Sequence, residues 1–292
     1  MGDPTMKRMI LPVVLLLILL SGCASAPEAQ IVATTAPVYC FTSSLCEGTG
    51  LTVTQLVTES ISCLHDYALS VPQVKAIESA QLIVITGAGM EETMEDVLHG
   101  LPNISDSSRG IHLDCGHSHD HEEDGHHHEN DPHIWLSPAN AKRMAQNICD
   151  DLTARFPDHE ERFRSNLMPL LDRLDQLESY GQQALSDLSC REMITFHDGF
   201  GYFAQAFDLH ILEAIEEESG SEASAQELIE LIGLVETHDL PALFTEINGS
   251  ASAAQIVASE TDIQVYPLDM AMSGDYFDAM YHNIDSIKEA LG

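Results

Sequence analysis

The sequence is short of positive charge. Only 12 of its 292 residues are lysine or arginine, against 47 aspartates and glutamates, for a formal net charge of -35. A surface so negative repels phosphate backbones, which excludes nucleic acid as a partner and draws cations toward any cleft. Apolar runs long enough to span a bilayer are absent: Ile10 to Leu20, interrupted by Pro12, falls well below the ~20 residues a membrane helix needs. No "HExxH" pattern is present, so the commonest signature of a zinc hydrolase is missing. No internal repeat is legible. The cysteines form no dense framework; beyond Cys23 they stand at 40, 46, 63, 115, 149 and 190, spacings that fix no disulfide pairing. What remains is a chain with 44% hydrophobic residues, enough for a packed core, and a length that suits one large domain or two ordinary ones.

The N-terminus has a targeting pattern. Lys7 and Arg8 precede the apolar run, and "LSGC" (Leu20 to Cys23) closes it. This predicts a signal peptide over 1–23 that ends in a lipobox, with Cys23 lipidated as the mature N-terminus. An ordinary secreted protein with a chance cysteine is the alternative. A tether over 24–30 follows. The chain is thus expected outside the cytoplasm, anchored to the membrane by its lipid.

Along the rest, short apolar runs alternate with helical patterns. "IVATT", "LTVTQLVT", "LIVITGAG", "REMITF", "PALFTEI" and "IQVYPLD" read as strands; "VPQVKAIESA", "MEETMEDVL", "GFGYFAQAF", "AQELIELIGLVETH", "AAQIVASET" and the segment from Asp275 to Leu291 read as helices. Fully apolar runs bounded by glycine suit buried parallel strands. Between the two groups lies a long helical stretch, with Ser137 as N-cap, Pro138 in the first turn and Pro169 expected to kink or interrupt it. The pattern predicts an α/β fold of two lobes, each a mainly parallel sheet with flanking helices: 31–156, with a histidine-rich loop over 112–130, and 189–292. A linking helix over 157–188 joins them, stiff enough to allow only small closure. Ligands in such folds bind between lobes and at the carboxyl ends of parallel strands.

Histidines mark those places. His65 follows "TESISCL", His133 lies in "DPHIWLSP" and His197 ends "REMITFH", while Asp275 opens the last helix in "MSGDYFD". Three imidazoles and a carboxylate are a four-coordinate set suited to Zn²⁺. Each has a plainer reading. A lone histidine at a strand end is ordinarily a surface or cap residue, as His99, His159, His210, His238 and His282 are read here, and Asp275 after glycine is also a good N-cap. The loop adds His117, His119, His121, His126, His127 and His128 among acids and Cys115, without apolar periodicity. It reads either as a weak auxiliary metal-capture segment or as a solvated loop.

Five segments resemble the zinc- and manganese-binding solute-binding lipoproteins of ABC transporters: "HDYALSVPQVKAIESAQLIVITGAGME", "DPHIWLSPANAKRMAQNI", "TFHDGFGYFAQAFDL", "ALFTEINGSASAAQIVASETDIQVYPLD" and "LDMAMSGDYFDAMYHNIDSIKEAL". The resemblance covers nearly all of the mature chain. It implies a monomer that binds Zn²⁺ in the cleft through His65, His133, His197 and Asp275, with Glu246 near the cleft, and hands the ion to an ABC permease. It implies no enzymatic activity. Manganese-type relatives tend to carry a carboxylate where His197 stands. A manganese or iron carrier of the same fold, or a secreted zinc-dependent hydrolase, are the competing readings. The sequence departs from the family before and after His65, where "ESISCLH" and "VPQ" replace the usual approach and the later motif. Cys63, two residues before His65, is a further thiol near the site.

Overall fold

In the computed structural model the described residues are 30–61, 64, 67–113, 130–215, 224–249 and 251–292. The leader with Cys23, the positions of Cys63 and His65, and the loop carrying Cys115 and His117 to His128 lie outside them. Among the described residues, no helix is long and apolar enough to cross a membrane.

The first lobe begins with β1 (Ile31–Ala33), whose three residues are fully buried, as a strand covered on both faces requires. It runs into α1 (Ala36–Cys46), a helix not among those read from the sequence, with Pro37 near its start. That proline sits in the first turn, where a missing N–H costs nothing. Then come β2 (Val53–Gln55), α2 (Val71–Ser79), β3 (Leu82–Ile85), α3 (Glu95–Leu98) and β4 (Ile104–Asp106). The second lobe holds β5 (Glu192–Thr195), α6 (Gly201–Ala206), β6 (His210–Ala214), α7 (Ala225–His238), β7 (Ala242–Glu246), α8 (Ser252–Thr261), β8 (Gln264–Leu268) and α9 (Tyr276–Leu291). Between them lie α4 (Pro138–Arg155) and α5 (Glu160–Ala184).

Both sheets are four-stranded and wholly parallel, with orders β2-β1-β3-β4 and β6-β5-β7-β8. The order reverses between β1 and β3 in one lobe and between β5 and β7 in the other, and such reversals open a crevice at the strands' carboxyl ends. In the first lobe the crevice is filled from within. The buried Glu91 carboxylate accepts from Thr34 Oγ1 at 2.6 Å, Thr86 N–H at 2.7 Å and Gly87 N–H at 3.0 Å. Burial pushes this carboxyl above its ordinary range, opposed by those three donors. The second crevice receives His197, described below.

The linking region differs from its reading in one respect. Pro169 does not interrupt α5, which runs unbroken from Glu160 to Ala184. Pro169 and Ser165, whose carbonyl loses its helical donor, are both exposed, so the lost bond lies on the solvent side, while Phe163, Leu170, Leu174 and Leu177 anchor the opposite face. Helix α5 packs on α4 and α1 from the first lobe and on α9 from the second. Lys142 of α4 clamps it, with Nζ 2.7 Å from both Asp175 and Glu178. Ser137 caps α4 as expected, accepting from Asn140 N–H. One continuous apolar core runs through both lobes, and a smaller one lies beneath α7 and α8.

Candidate metal centre

His133 is fixed by its own tripeptide. Pro132 restricts the backbone, and Asp131 Oδ1 accepts both the His133 N–H at 2.9 Å and its Nδ1 at 2.8 Å, an Asx turn that folds the carboxylate back onto the ring. Both side chains are buried, at 1% and 6% exposure. With Nδ1 donating to a carboxylate, the Nε2 lone pair points away. His197 lies two residues past the end of β5, and β7 ends beside it on Glu246. Its Nδ1 stands 3.2 Å from Glu246 Oε1. This ion-pair contact sets a carboxylate behind the ring and leaves Nε2 on the side of His133.

The two outward nitrogens meet. His133 Nε2 and His197 Nε2 are 3.3 Å apart, with the rings nearly perpendicular at a centroid distance of 5.0 Å. At this distance the pair shares either a proton, as a hydrogen bond from one ring to the other, or a cation. Zinc at ~2.0–2.1 Å from each nitrogen, in a tetrahedron, sets the edge between two ligands at about 3.3–3.4 Å. The observed separation matches that edge. Asp131 and Glu246 then occupy the outer positions from which carboxylates orient metal-binding imidazoles and raise their basicity.

The floor is tight. A Cβ on Gly199 would fall 2.6 Å from His197 Cδ2, 2.6 Å from Met270 Cε and 3.0 Å from His133 Cε1. On Gly201 it would lie 3.1 Å from Asp131 Oδ2. The glycines of "HDGFG" thus let the start of α6 approach both rings.

The structure therefore brings His133 and His197 together. His65 lies outside the described residues, but its flanks are placed: Leu64 is buried, its carbonyl accepting from Thr93 Oγ1, and Ser60 Oγ is 3.3 Å from Ser273 Oγ of the other lobe. Asp275 stands at the start of α9. It is exposed and caps α9, its Oδ1 accepting from the N–H groups of Phe277 and Asp278. Among the described residues, no three His, Cys, Asp or Glu side chains converge closely enough to hold a metal. Asp269 was not singled out by sequence reasoning. It follows β8 directly, one step beyond the paired residues Glu246 and Leu268, and precedes Met270 of the site floor. Asp131, Gly199 and Met270 were also missed. Only Asp131 had a signal: an aspartate two residues before a histidine across a proline is an Asx-turn former.

The other histidines read as surface residues behave so, as with His238 on Glu192 at 2.9 Å and His282 on the Pro267 carbonyl at 3.0 Å. Cys40, Cys46, Cys149 and Cys190 are free thiols. Burial pushes Cys40 up to about 11 and Cys46 up to about 12, so neither offers a thiolate near neutrality.

Residues 31–290 match the family model described as zinc-uptake complex component A, periplasmic (ZnuA). The zinc-binding protein AdcA of Streptococcus pyogenes serotype M1 is 27% identical over 290 residues, covering 89% of this chain and 56% of that one. The zinc-binding lipoprotein AdcA of Streptococcus pneumoniae strain R6 is 28% identical, covering 92% and 58%. The chain thus spans a little over half the length of these curated relatives. A crystal structure of ZnuA superimposes with a TM-score of 0.78 at 29% identity, covering 90% of this chain and 98% of that one. The zinc-bound ZnuA-like domain of Streptococcus pneumoniae AdcA gives 0.76 at 25%, covering 90% and 99%. The two parallel lobes and the linking helix accord with that match over almost the whole described chain, and this protein belongs to the ZnuA family.

Proposed function

We propose that this protein is an extracytoplasmic zinc carrier, tethered through lipidated Cys23, that captures Zn²⁺ in its cleft and delivers it to an ABC permease. The observation that carries this reading is the 3.3 Å approach of two Nε2 atoms whose Nδ1 partners are buried carboxylates. His65 supplies the third imidazole. With a carboxylate as the fourth ligand the tetrahedron is full and no position is left for a reacting water, which favours a carrier over a hydrolase. The acidic loop with His117, His119, His121, His126, His127 and His128 serves as a weak antechamber for the ion.

Asp269 Oδ1 accepts from Ala271 N–H and Asp275 Oδ1 caps α9, so each carboxylate holds a turn; for the fourth ligand the half-buried strand-end position favours Asp269 over the exposed Asp275. Zinc titration separates them. Asp269→Asn is expected to weaken binding by more than tenfold. Asp275→Asn, which can still cap a helix, is expected to stay within about threefold of wild type. The reverse order would return the role to Asp275.

The reading is tested by isothermal titration of the untagged protein with zinc. One tight site is expected, and an absence of tight binding would remove the carrier assignment. Asp131→Asn keeps the shape of the turn but removes the charge behind His133, and should weaken zinc by about ten- to a hundredfold. Unchanged affinity in that variant would mean that His133 is not a ligand.

A further inference from the structure

The turn that follows His133 is fastened to the opposite lobe by two buried hydrogen bonds running in opposite directions. Trp135 Nε1 donates to the Met270 carbonyl at 2.8 Å, and Tyr276 Oη donates to the Trp135 carbonyl at 2.8 Å. Trp135 and Tyr276 are 0% and 1% exposed. The indole packs edge-on against the His133 ring at 5.3 Å, and Tyr276 packs edge-on against Phe41 of α1 at 5.0 Å. The segment so gripped, Met270 to Tyr276, touches the site at both ends. Met270 lies on its floor, and Ser273 meets the Ser60 hydroxyl on the segment leading to His65. The same stretch turns sharply, with Ala271 at φ +57° and Gly274 at φ +75°. Local bonds shape its two ends, with Asp269 Oδ1 accepting from Ala271 N–H and Asp275 Oδ1 from Phe277 and Asp278 N–H, while its position relative to His133 is set by the bonds across the seam.

We propose that Trp135 and Tyr276 are a positioning pair: their reciprocal bonds hold His133 in register with the 269–276 segment and thereby set how fast the metal leaves the cleft. This rests on the zinc-carrier reading above. A ligand set divided between two lobes loosens when the lobes slip, and the donor atoms nearest the seam move first. Two buried bonds on one residue, one through its indole and one through its carbonyl, resist that slip. Neither residue touches the metal; both act through His133 and the segment opposite. Association needs only an open cleft, so the pair governs dissociation.

The test is stopped-flow release of zinc from the full chain into excess chelator, followed by the chelator's absorbance so that loss of the single tryptophan does not blind the assay. Trp135→Phe removes the N–H and keeps an aromatic ring; Tyr276→Phe removes only the hydroxyl. Each is expected to speed release about tenfold with an unchanged association rate, and the double variant to fall short of the product of the two effects. Phe163→Leu, in the α5 core away from the seam, serves as the control: it should lower the melting temperature while leaving release alone. Release at the wild-type rate in both phenylalanine variants would overturn the proposal. Faster release in Phe163→Leu, in step with its loss of thermal stability, would overturn it too, since any loosening of the fold would then suffice. A wild-type protein that holds no zinc tightly would instead overturn the carrier reading, and the proposal with it.

Discussion

A single methyl group at position 199 is expected to weaken zinc binding by about a hundredfold, close to 2.7 kcal/mol. Gly199 does not lie in the left-handed backbone region, so Gly199→Ala introduces no backbone strain, and the effect is one of contact alone. The added Cβ would come within 2.6 Å of His197 Cδ2 and Met270 Cε, and within 3.0 Å of His133 Cε1. Distances of that kind are not tolerated, and something must move. Met270 Cε, at the end of a flexible side chain, can swing aside, but that leaves the His197 contact unrelieved. His133 is locked to Asp131 through both its backbone and its ring. The imidazole of His197 is therefore the group that yields, and its Nε2 leaves the tetrahedral edge it shares with His133. A shift of a few tenths of an ångström suffices, since metal–nitrogen bonds hold within about 0.2 Å. Titration of Gly199→Ala beside Gly233→Ala checks this, because a Cβ at 233 in α7 meets nothing within 4 Å. Equal affinity in the two variants would show that the rings are not packed against Gly199 when the metal is bound.

Substitution of His197 should have the largest effect. His197→Ala removes a ligand outright, where losing an outer carboxylate costs ten- to a hundredfold; a drop of about a thousandfold is expected for zinc, with a smaller one for manganese. His197→Glu is more informative. It replaces a nitrogen by a harder oxygen donor able to bind in bidentate fashion, which relaxes the tetrahedral preference for zinc and suits manganese. Zinc should still bind more tightly in absolute terms, following the Irving–Williams order. The ratio of zinc to manganese affinity should nevertheless fall at least tenfold, about 1.4 kcal/mol. Glu246 adds a second signature. In wild type its carboxylate faces His197 Nδ1; in the Glu variant two buried carboxylates would share that corner, and without metal one of them takes up a proton. Metal binding by the variant should therefore release a proton and strengthen steeply as pH rises through the mildly acidic range. Competitive titration of both metals at two pH values measures the ratio and the proton together. A ratio and pH response equal to those of wild type would place residue 197 outside the ligand set.

Much of this molecule was legible before any coordinates. The apolar strand Leu82–Ile85, the strand Glu192–Thr195 with Ile194 and Thr195, and the capped helices Pro138–Arg155 and Ala225–His238 carry local signals: β-branched residues, a serine before proline, a capping box. The motif "DPHIWLSP" likewise holds its own Asx turn, so the presentation of His133 is encoded within three residues. Helix Ala36–Cys46 was hidden because its apolar face is too wide to show a clear period, and strand His210–Ala214 because it is short and half exposed.

What the sequence determined by itself is the chemistry at each strand end: which residues bring imidazole, which bring carboxylate, and that the surroundings are negative enough to attract a cation. What only the tertiary structure decided is which of them meet. Two sheets with the same strand order and no legible repeat between them place one crevice around Glu91 and the other around His197. The separation of 64 positions between His133 and His197 is closed to 3.3 Å by the packing of α4 and α5 and by the Trp135 seam. Gly199, Met270 and Asp269 gain their places from that closure alone. No local rule marks them, because contacts between distant segments are set by how whole layers pack, and a pattern of neighbours along the chain carries no record of it.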